Sequence, residues 1–177
     1  MKKILAFGAS NSKNSINKKF ATYAAHRIKD AAITVIDLND FAMPVYGVDR
    51  ERDEGIPEAA HRFLALLQSH DAYVISLAEH SNNVTVAFKN LEDWTSRIEK
   101  KVWQQKPLFL LSTSPGGRGG ANVMSIQLKY MPFRGANILA HFSLPSFKEN
   151  FSETEGITNQ ELLQSFEQQL QQFEAQF

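Results

Sequence analysis

Short apolar runs alternate along the chain with segments whose apolar residues recur every three or four positions. Continuous apolar runs are typical of strands buried in a parallel sheet, and they predict five strands, at residues 4–7, 32–36, 72–77, 107–112 and 137–140. The periodic segments predict intervening helices and a terminal helix over residues 159–177. This alternation predicts a doubly wound α/β fold in which residues 1–177 form a single domain, with a five-stranded parallel sheet and helices on both faces.

One predicted connection is much longer than the others. Residues 37–53 follow the second strand and are mostly polar, with Pro44 near the middle. Loops of this length inside a compact domain are usually functional or mobile. We therefore expect motion of this segment to gate a ligand site.

The composition is that of an ordinary globular protein, with 43% of 177 residues apolar and 21% charged. Nineteen basic and nineteen acidic residues leave no net charge that would favour nucleic acid. The chain lacks cysteine, which excludes disulfides and thiolate sites and fits a reducing cytoplasm. Four of its five histidines, His26, His61, His70 and His141, lack metal-ligand spacing. The apolar run at residues 4–7 is too short for a signal peptide or membrane span. We expect a cytoplasmic protein without metal, nucleic-acid or membrane partners.

Three polar loops follow predicted strands. The first loop, residues 8–17, places hydroxyl and amide groups beside a helix N-terminus, where free backbone N–H groups favour an anion. It matches neither a Walker sequence nor a G-x-G-x-x-G fingerprint. Two interpretations stay open, because the loop is either a phosphate cradle or a plain turn in which Ser15 caps the helix.

The second loop, residues 79–83, and the third loop, residues 113–120, follow the third and fourth strands. The second loop offers flat or small polar side chains at His80, Ser81, Asn82 and Asn83. The third loop holds four of the nine glycines and offers backbone N–H groups at Gly116 and Gly117, unless it is only a flexible turn. Because carboxyl ends of parallel strands share one sheet edge, we expect all three loops to converge there.

These loops resemble those of the NAD(P)H-dependent FMN reductase family. The family pattern G-S-x-R-x-x-S-x-N aligns without a gap on residues 9–17, and P-E-Y-N-G-S-x-P-x-x-L-K-N-x-x-D-W aligns on residues 78–94. A K-P strand followed by S-x-G-x-x-G-G aligns on residues 106–107 and 114–120. The resemblance covers most of the chain and implies a flavodoxin-like fold.

The resemblance also implies the cofactor and the residues that bind it. The first loop is implied to bind the FMN phosphate, through Ser10, Ser12, Ser15, Ile16 and Asn17. The second loop is implied to lie along the isoalloxazine ring, and the third to face its pyrimidine side, through Ser114, Pro115, Gly116 and Gly117. No residue is nominated as a catalytic acid or base, because hydride transfer to a flavin depends on position and electronics.

The implied activity is hydride transfer from NADPH or NADH to bound FMN and then to an acceptor, in a homodimer or homotetramer. Two departures from the family pattern stand against this, because Ser12 replaces an arginine and His80 replaces a tyrosine. They favour reduced FMN affinity and leave open a non-catalytic flavin-binding or regulatory module. A flavin-free hydrolase is a third alternative, but the chain lacks a G-x-S-x-G elbow. His80 is either a flavin or substrate contact or a solvent-facing residue.

Overall fold

The computed structural model describes residues 1–177. Its five main strands are β1 (Lys2–Ala9), β2 (Ala31–Val35), β3 (Ala72–Leu77), β4 (Pro107–Thr113) and β5 (Asn137–Leu144). The helices are α1 (Ile16–His26), α2 (Val48–Glu54), α3 (Glu58–Ser69), α4 (Val86–Ile98), α5 (Ala121–Tyr130), α6 (Phe147–Asn150) and α7 (Gln160–Gln176). Two short strands, β6 (Phe151–Ser152) and β7 (Gly156–Ile157), form a separate antiparallel hairpin.

The main sheet is parallel throughout, in the order β2-β1-β3-β4-β5. Helices α3, α4 and α5 cover one face, where Phe63, Phe88 and Val123 belong to one buried cluster. Helices α1 and α7 cover the other face through Phe20 and Phe166. The flavodoxin-like doubly wound fold predicted from the sequence is therefore confirmed.

Two predicted strands differ from the observed ones because they lie at the sheet edges. The strand expected at residues 32–36 to be buried on both faces is β2, an edge strand that is only half-buried. The strand expected at residues 137–140 continues to Leu144. Its second half alternates exposed and covered residues, with His141 facing out and Phe142 buried. An edge strand is not buried on all sides, so its sequence need not be continuously apolar. The prediction followed the apolar run and therefore ended the strand at residue 140 instead of Leu144.

The segment 37–53 is not the unstructured loop that the sequence predicts. Leu38–Phe41 forms a 3-10 turn whose two ends are buried, and α2 begins at Val48. Helix α2 buries no residue, so apolar periodicity gave no signal for it. The sequence feature that indicates α2 is the spacing of its charged residues, because Arg50 pairs with Glu54 one turn later.

The middle of the same segment is attached to α4. The Asn90 side chain donates to the Met43 and Pro44 carbonyl oxygens at 3.2 and 3.1 Å and accepts from the Tyr46 backbone N–H at 2.8 Å. The Trp94 indole N–H donates to the Pro44 carbonyl at 2.8 Å. The expected gating motion is therefore opposed by four hydrogen bonds.

None of the seven helices combines the length and the apolar character that a membrane span requires.

Candidate functional site

A cleft opens at the sheet edge where the strand order reverses. In the sheet, β1 lies between β2 and β3. The strand order reverses at β1, so a crevice forms beyond the carboxyl ends of β1 and β3. This switch-point cleft has a volume of about 270 Å³. All three predicted loops line it, with residues Ser10, Ser12, Asn14, Ser15, Ile16, Asn17, Ala78, Glu79, His80, Thr113, Ser114 and Pro115. The predicted convergence of the loops is confirmed, but the cleft lining does not include the predicted site residues Ser81, Asn82, Asn83, Gly116 and Gly117.

The first loop lies close against the start of α1. A Cβ atom at Gly8 would stand 2.3 Å from the backbone nitrogen of Lys18, so only glycine allows β1 to meet the helix there. Ser15 caps the helix, and its hydroxyl accepts from the Lys18 N–H at 3.1 Å. The backbone N–H groups of Ile16 and Asn17 donate to no group in the chain. Ser15 thus caps the helix and lines the cleft, and the helix start presents free donors to it.

Asn17 is held by the sheet. Its side chain is 3% exposed, and its Oδ1 accepts from the Ser76 hydroxyl at 2.7 Å and from the Thr113 N–H at 3.1 Å. Its Nδ2 donates to the Thr113 carbonyl at 3.2 Å. The oxygen thus accepts twice and the nitrogen uses one of its two hydrogens, so the amide ties the first turn of α1 to β3 and β4.

The second loop contains a tight two-residue turn. His80 and Asn83 exchange backbone hydrogen bonds of 2.8 and 3.0 Å, and the intervening Ser81 and Asn82 both have positive φ, 49° and 64°. Positive φ at both central positions is the geometry of a type I′ turn. A left-handed serine is uncommon and is retained only where the surroundings fix it.

Neighbouring elements hold this turn in place. The Glu79 carboxylate accepts from the Val123 N–H at the start of α5 at 2.8 Å, and the Asn122 side chain donates to the Asn82 side-chain oxygen at 2.7 Å. On the other side, the Thr85 hydroxyl donates to the Ala9 carbonyl at 3.0 Å. The second loop is a preformed wall of the cleft.

The third loop divides into a buried half and an open half. A Cβ atom at Gly119 would lie 2.7 Å from the Leu144 backbone, so glycine is required there. By contrast, a Cβ atom at Gly117 would meet nothing within 4 Å, and one at Gly116 only the Ser114 hydroxyl at 3.8 Å. Gly116 and Gly117 are exposed at the loop tip, and although the Gly116 carbonyl accepts from the Gly119 and Ser146 N–H groups, the lack of side chains lets a flat ligand approach this backbone closely.

A second cleft, which sequence reasoning missed, adjoins the first. It has a volume of about 280 Å³, shares His80 with the switch-point cleft, and is lined mainly by apolar side chains such as Phe41, Met43 and Val86. His80 is exposed and stands between the two clefts. The cleft is assembled from the 37–53 segment and α4, which are far apart in sequence, so no local motif signals it.

Comparison with known proteins identifies the family. Residues 2–149 match the model of the NADPH-dependent FMN reductase family. This chain therefore belongs to that family of NAD(P)H-dependent flavin oxidoreductases, whose cofactor is FMN. The resemblance inferred from the three loops is confirmed.

Several relatives are similar to this chain over different lengths. The uncharacterized protein MG342 homolog of Mycoplasma pneumoniae is 26% identical over 155 residues, 85% of this chain and 91% of its own. The quinone reductase of Pseudomonas putida is 33% identical over 110 residues, and that of Escherichia coli K12 is 30% identical over 96. These matches cover 61% and 54% of this chain, and only 58% and 51% of the two quinone reductases.

Solved structures show the same fold. The flavoenzyme FerB, an NAD(P)H:(acceptor) oxidoreductase of Paracoccus denitrificans, superimposes with a TM-score of 0.81 at 20% identity and covers 99% of this chain and 96% of its own. An FMN-dependent NADH-azoreductase of Bacillus anthracis, solved in complex with FMN, gives a TM-score of 0.59 at 15% identity, with 99% of both chains covered. At these identities the similarity concerns the fold.

Proposed function

We propose that residues 1–177 act as one FMN-binding domain that oxidises NADPH or NADH and reduces a second substrate. The observation that carries this proposal is the start of α1, where free N–H groups and serine hydroxyls face the switch-point cleft. A helix N-terminus with free donors stabilises a phosphate through hydrogen bonds and the helix dipole.

The phosphate is assigned to the first loop. Ser10, Ser12 and Ser15 supply hydroxyl groups, and Ile16 and Asn17 supply backbone N–H groups. The Asn17 side chain acts as a positioning group, because its bonds to Ser76 and Thr113 fix its orientation. Ser12 brings no charge where the family has arginine, so hydrogen bonds carry more of the affinity here.

The isoalloxazine ring is assigned to the second and third loops. In this assignment the ring extends from the cleft toward the fixed turn at Ser81, Asn82 and Asn83 on one side, and toward Pro115 and the exposed Gly116 and Gly117 on the other. Ser114 and His80 line the cleft between them. The residues present therefore fit a flavin phosphate, with hydroxyls and free N–H groups at one end and uncrowded glycines at the other.

When bound, FMN would supply the redox chemistry, namely the capacity to take up a hydride from the nicotinamide and pass electrons to an acceptor. The chain's own contribution is to bind and orient. The hydrogen bonds of Glu79 and Asn82 to α5 hold the second loop before any ligand arrives. No side chain in the cleft is assigned a proton-transfer role.

The acceptor and the assembly are further parts of the proposal. Quinone reductase relatives and the apolar cleft beside His80 favour a flat apolar acceptor at that cleft. Val45 and Val86 line this cleft and are each at least 70% exposed, which supports burial against a second copy in a homodimer or homotetramer. The absence of cysteine supports a cytoplasmic location.

The alternative is a module that binds flavin without turnover, favoured by the substitutions at Ser12 and His80. Two measurements separate the possibilities. Quenching of FMN fluorescence on titration with the chain tests binding, and NAD(P)H oxidation with FMN and a quinone tests turnover. Binding with turnover supports the proposal, binding without turnover supports the module, and absence of binding contradicts both.

A further inference from the structure

A large groove of the chain lies along the outer side of α1. It has a volume of about 530 Å³ and runs from the first loop, at Asn14 and Ser15, to Arg27 beyond the helix end. Asn14 and Ser15 also line the switch-point cleft, so the two openings are contiguous. The proposed binding of FMN uses none of the remaining groove, which we call the α1 groove.

The α1 groove is basic although the chain as a whole is neutral. Residues 1–29 contain seven lysines and arginines and no acidic residue. The basic side chains that line the groove are Lys13, Lys18, Lys19, His26 and Arg27. Glu153 is the single acidic lining residue. Such a concentration of positive charge favours an anionic ligand.

The existing ion pairs leave these cations able to exchange partners. Lys18 pairs with Asp37, Lys19 with Glu153 and Arg27 with Glu167. The side chains of the last two pairs are all more than 40% exposed, and exposed pairs contribute little to stability. A phosphate can therefore replace a carboxylate at Lys19 or Arg27 at small cost.

The groove also offers an aromatic surface. Tyr23 and Phe151 meet edge to face with ring centroids 5.4 Å apart, and both line the groove. The Tyr23 ring lies on the hairpin at Gly156, where a Cβ atom would stand 2.1 Å from it. The Tyr23 hydroxyl has no hydrogen-bond partner. A groove with several cations and a fixed aromatic pair matches a nucleoside carrying phosphate groups.

We propose that the α1 groove binds the adenosine 2′-phosphate part of NADPH, with Lys19 and Arg27 as the residues that distinguish NADPH from NADH. The inference rests on the proposed function, because the nicotinamide of the same molecule must reach the FMN site. NADH lacks the 2′-phosphate and gains nothing from these two cations. The chain then uses NADPH in preference to NADH.

The test begins with FMN titration, which decides the proposed function by itself. Adenosine 2′,5′-bisphosphate is then titrated calorimetrically into the FMN-saturated chain, so that the first loop is already filled. We expect binding that weakens about tenfold for each lost charge-assisted contact in the double variant Lys19→Gln/Arg27→Gln. Lys29→Gln is the matched control, because Lys29 is exposed and does not line the groove. FMN affinity should be equal in all three proteins.

Kinetics give a second readout. In the double variant, KM for NADPH should rise while KM for NADH and both kcat values stay unchanged. The inference is overturned if the FMN-saturated chain does not bind the bisphosphate, or if adenosine 5′-monophosphate binds equally well. Equal losses of bisphosphate affinity in the double variant and in Lys29→Gln would also overturn it, since the loss would then follow from the overall charge of the chain.

Discussion

The hydroxyl of Ser76 donates a 2.7 Å hydrogen bond to the side-chain oxygen of Asn17, and both residues are buried. The bond joins the middle of the sheet to the first turn of α1. Because Thr113 binds the same amide group, one side chain ties the helix start to β3 and β4 together. The orientation of the proposed phosphate site depends on this link.

Replacing Asn17 should therefore damage both stability and FMN binding. Asn17→Ala leaves the Ser76 hydroxyl and the Thr113 backbone groups without their partner, at a cost of about 2–4 kcal/mol in the free energy of unfolding. Ser76→Ala removes one hydrogen bond and should cost about 1 kcal/mol. Urea unfolding measures both. Equal stability of Asn17→Ala and the wild type would show that the amide is not a structural link.

Gly117 separates a ligand effect from a folding effect. Gly117→Ala meets no atom within 4 Å, so the free energy of unfolding should change by less than about 0.5 kcal/mol. If the flavin ring lies against this backbone, the added methyl group should still weaken FMN binding, by roughly tenfold or more. Gly47→Ala is the matched control, since Gly47 is equally uncrowded but belongs to none of the three loops. Unchanged FMN affinity in Gly117→Ala would remove the third loop from the ring site.

Glu92 makes stability depend on pH. Glu92 lies on α4 beside Trp103 and is 1% exposed. Burial raises the pKa of its carboxyl group from 4.5 to about 7. The Trp103 hydrogen bond and the charges of Lys89 and Arg134 act in the opposite direction. The folded chain then binds this proton more tightly than the unfolded chain does. Stability from this group is thus present below about pH 4.5 and is lost as the pH rises to about 7.

The matched comparison is Glu92→Gln. The wild type should lose about 3 kcal/mol relative to this variant between pH 4 and pH 8, with most of the loss above pH 5. Denaturant unfolding at several pH values, followed by tryptophan fluorescence, measures the difference. A constant difference across this range would mean that Glu92 titrates normally.

Asn90 is predicted to restrain the segment that precedes α2. Asn90→Ala removes three hydrogen bonds to residues 43–46, while the Trp94 bond to Pro44 remains. We expect faster proteolytic cleavage within residues 43–47 and a loss of about 1–3 kcal/mol in stability. Lys89→Ala on the exposed side of α4 serves as the control. Cleavage at the wild-type rate would indicate that the segment is held by other contacts.

The elements with an apolar face were predictable from the sequence. The stripe through Phe166, Leu170 and Phe173 predicted α7, and Asn159 caps it as its position suggests. Helix α2 was missed because it buries nothing. The glutamines of α7 also carry a role that periodicity could not reveal, because the Gln172 side chain donates to the Leu139 carbonyl on the exposed edge of β5.

Within the site, local sequence motifs predicted where the residues lie better than they predicted what the side chains do. The three loops converge as expected, but the engagement of Asn17 with Thr113 depends on a contact across 96 residues. Such a contact is set by how α1 packs on the sheet, and no spacing rule within the first loop contains it.

Titration of FMN into the wild type, Ser15→Asp and Ser15→Asn tests the central claim most directly. Aspartate and asparagine cap helices about as well as serine, so all three proteins should fold alike. Only aspartate places a negative charge at the start of α1. The phosphate assignment predicts that Ser15→Asp weakens FMN binding by about 100-fold or more while Ser15→Asn changes it far less. Equal FMN affinity in Ser15→Asp and Ser15→Asn would contradict the assignment of phosphate to this helix start.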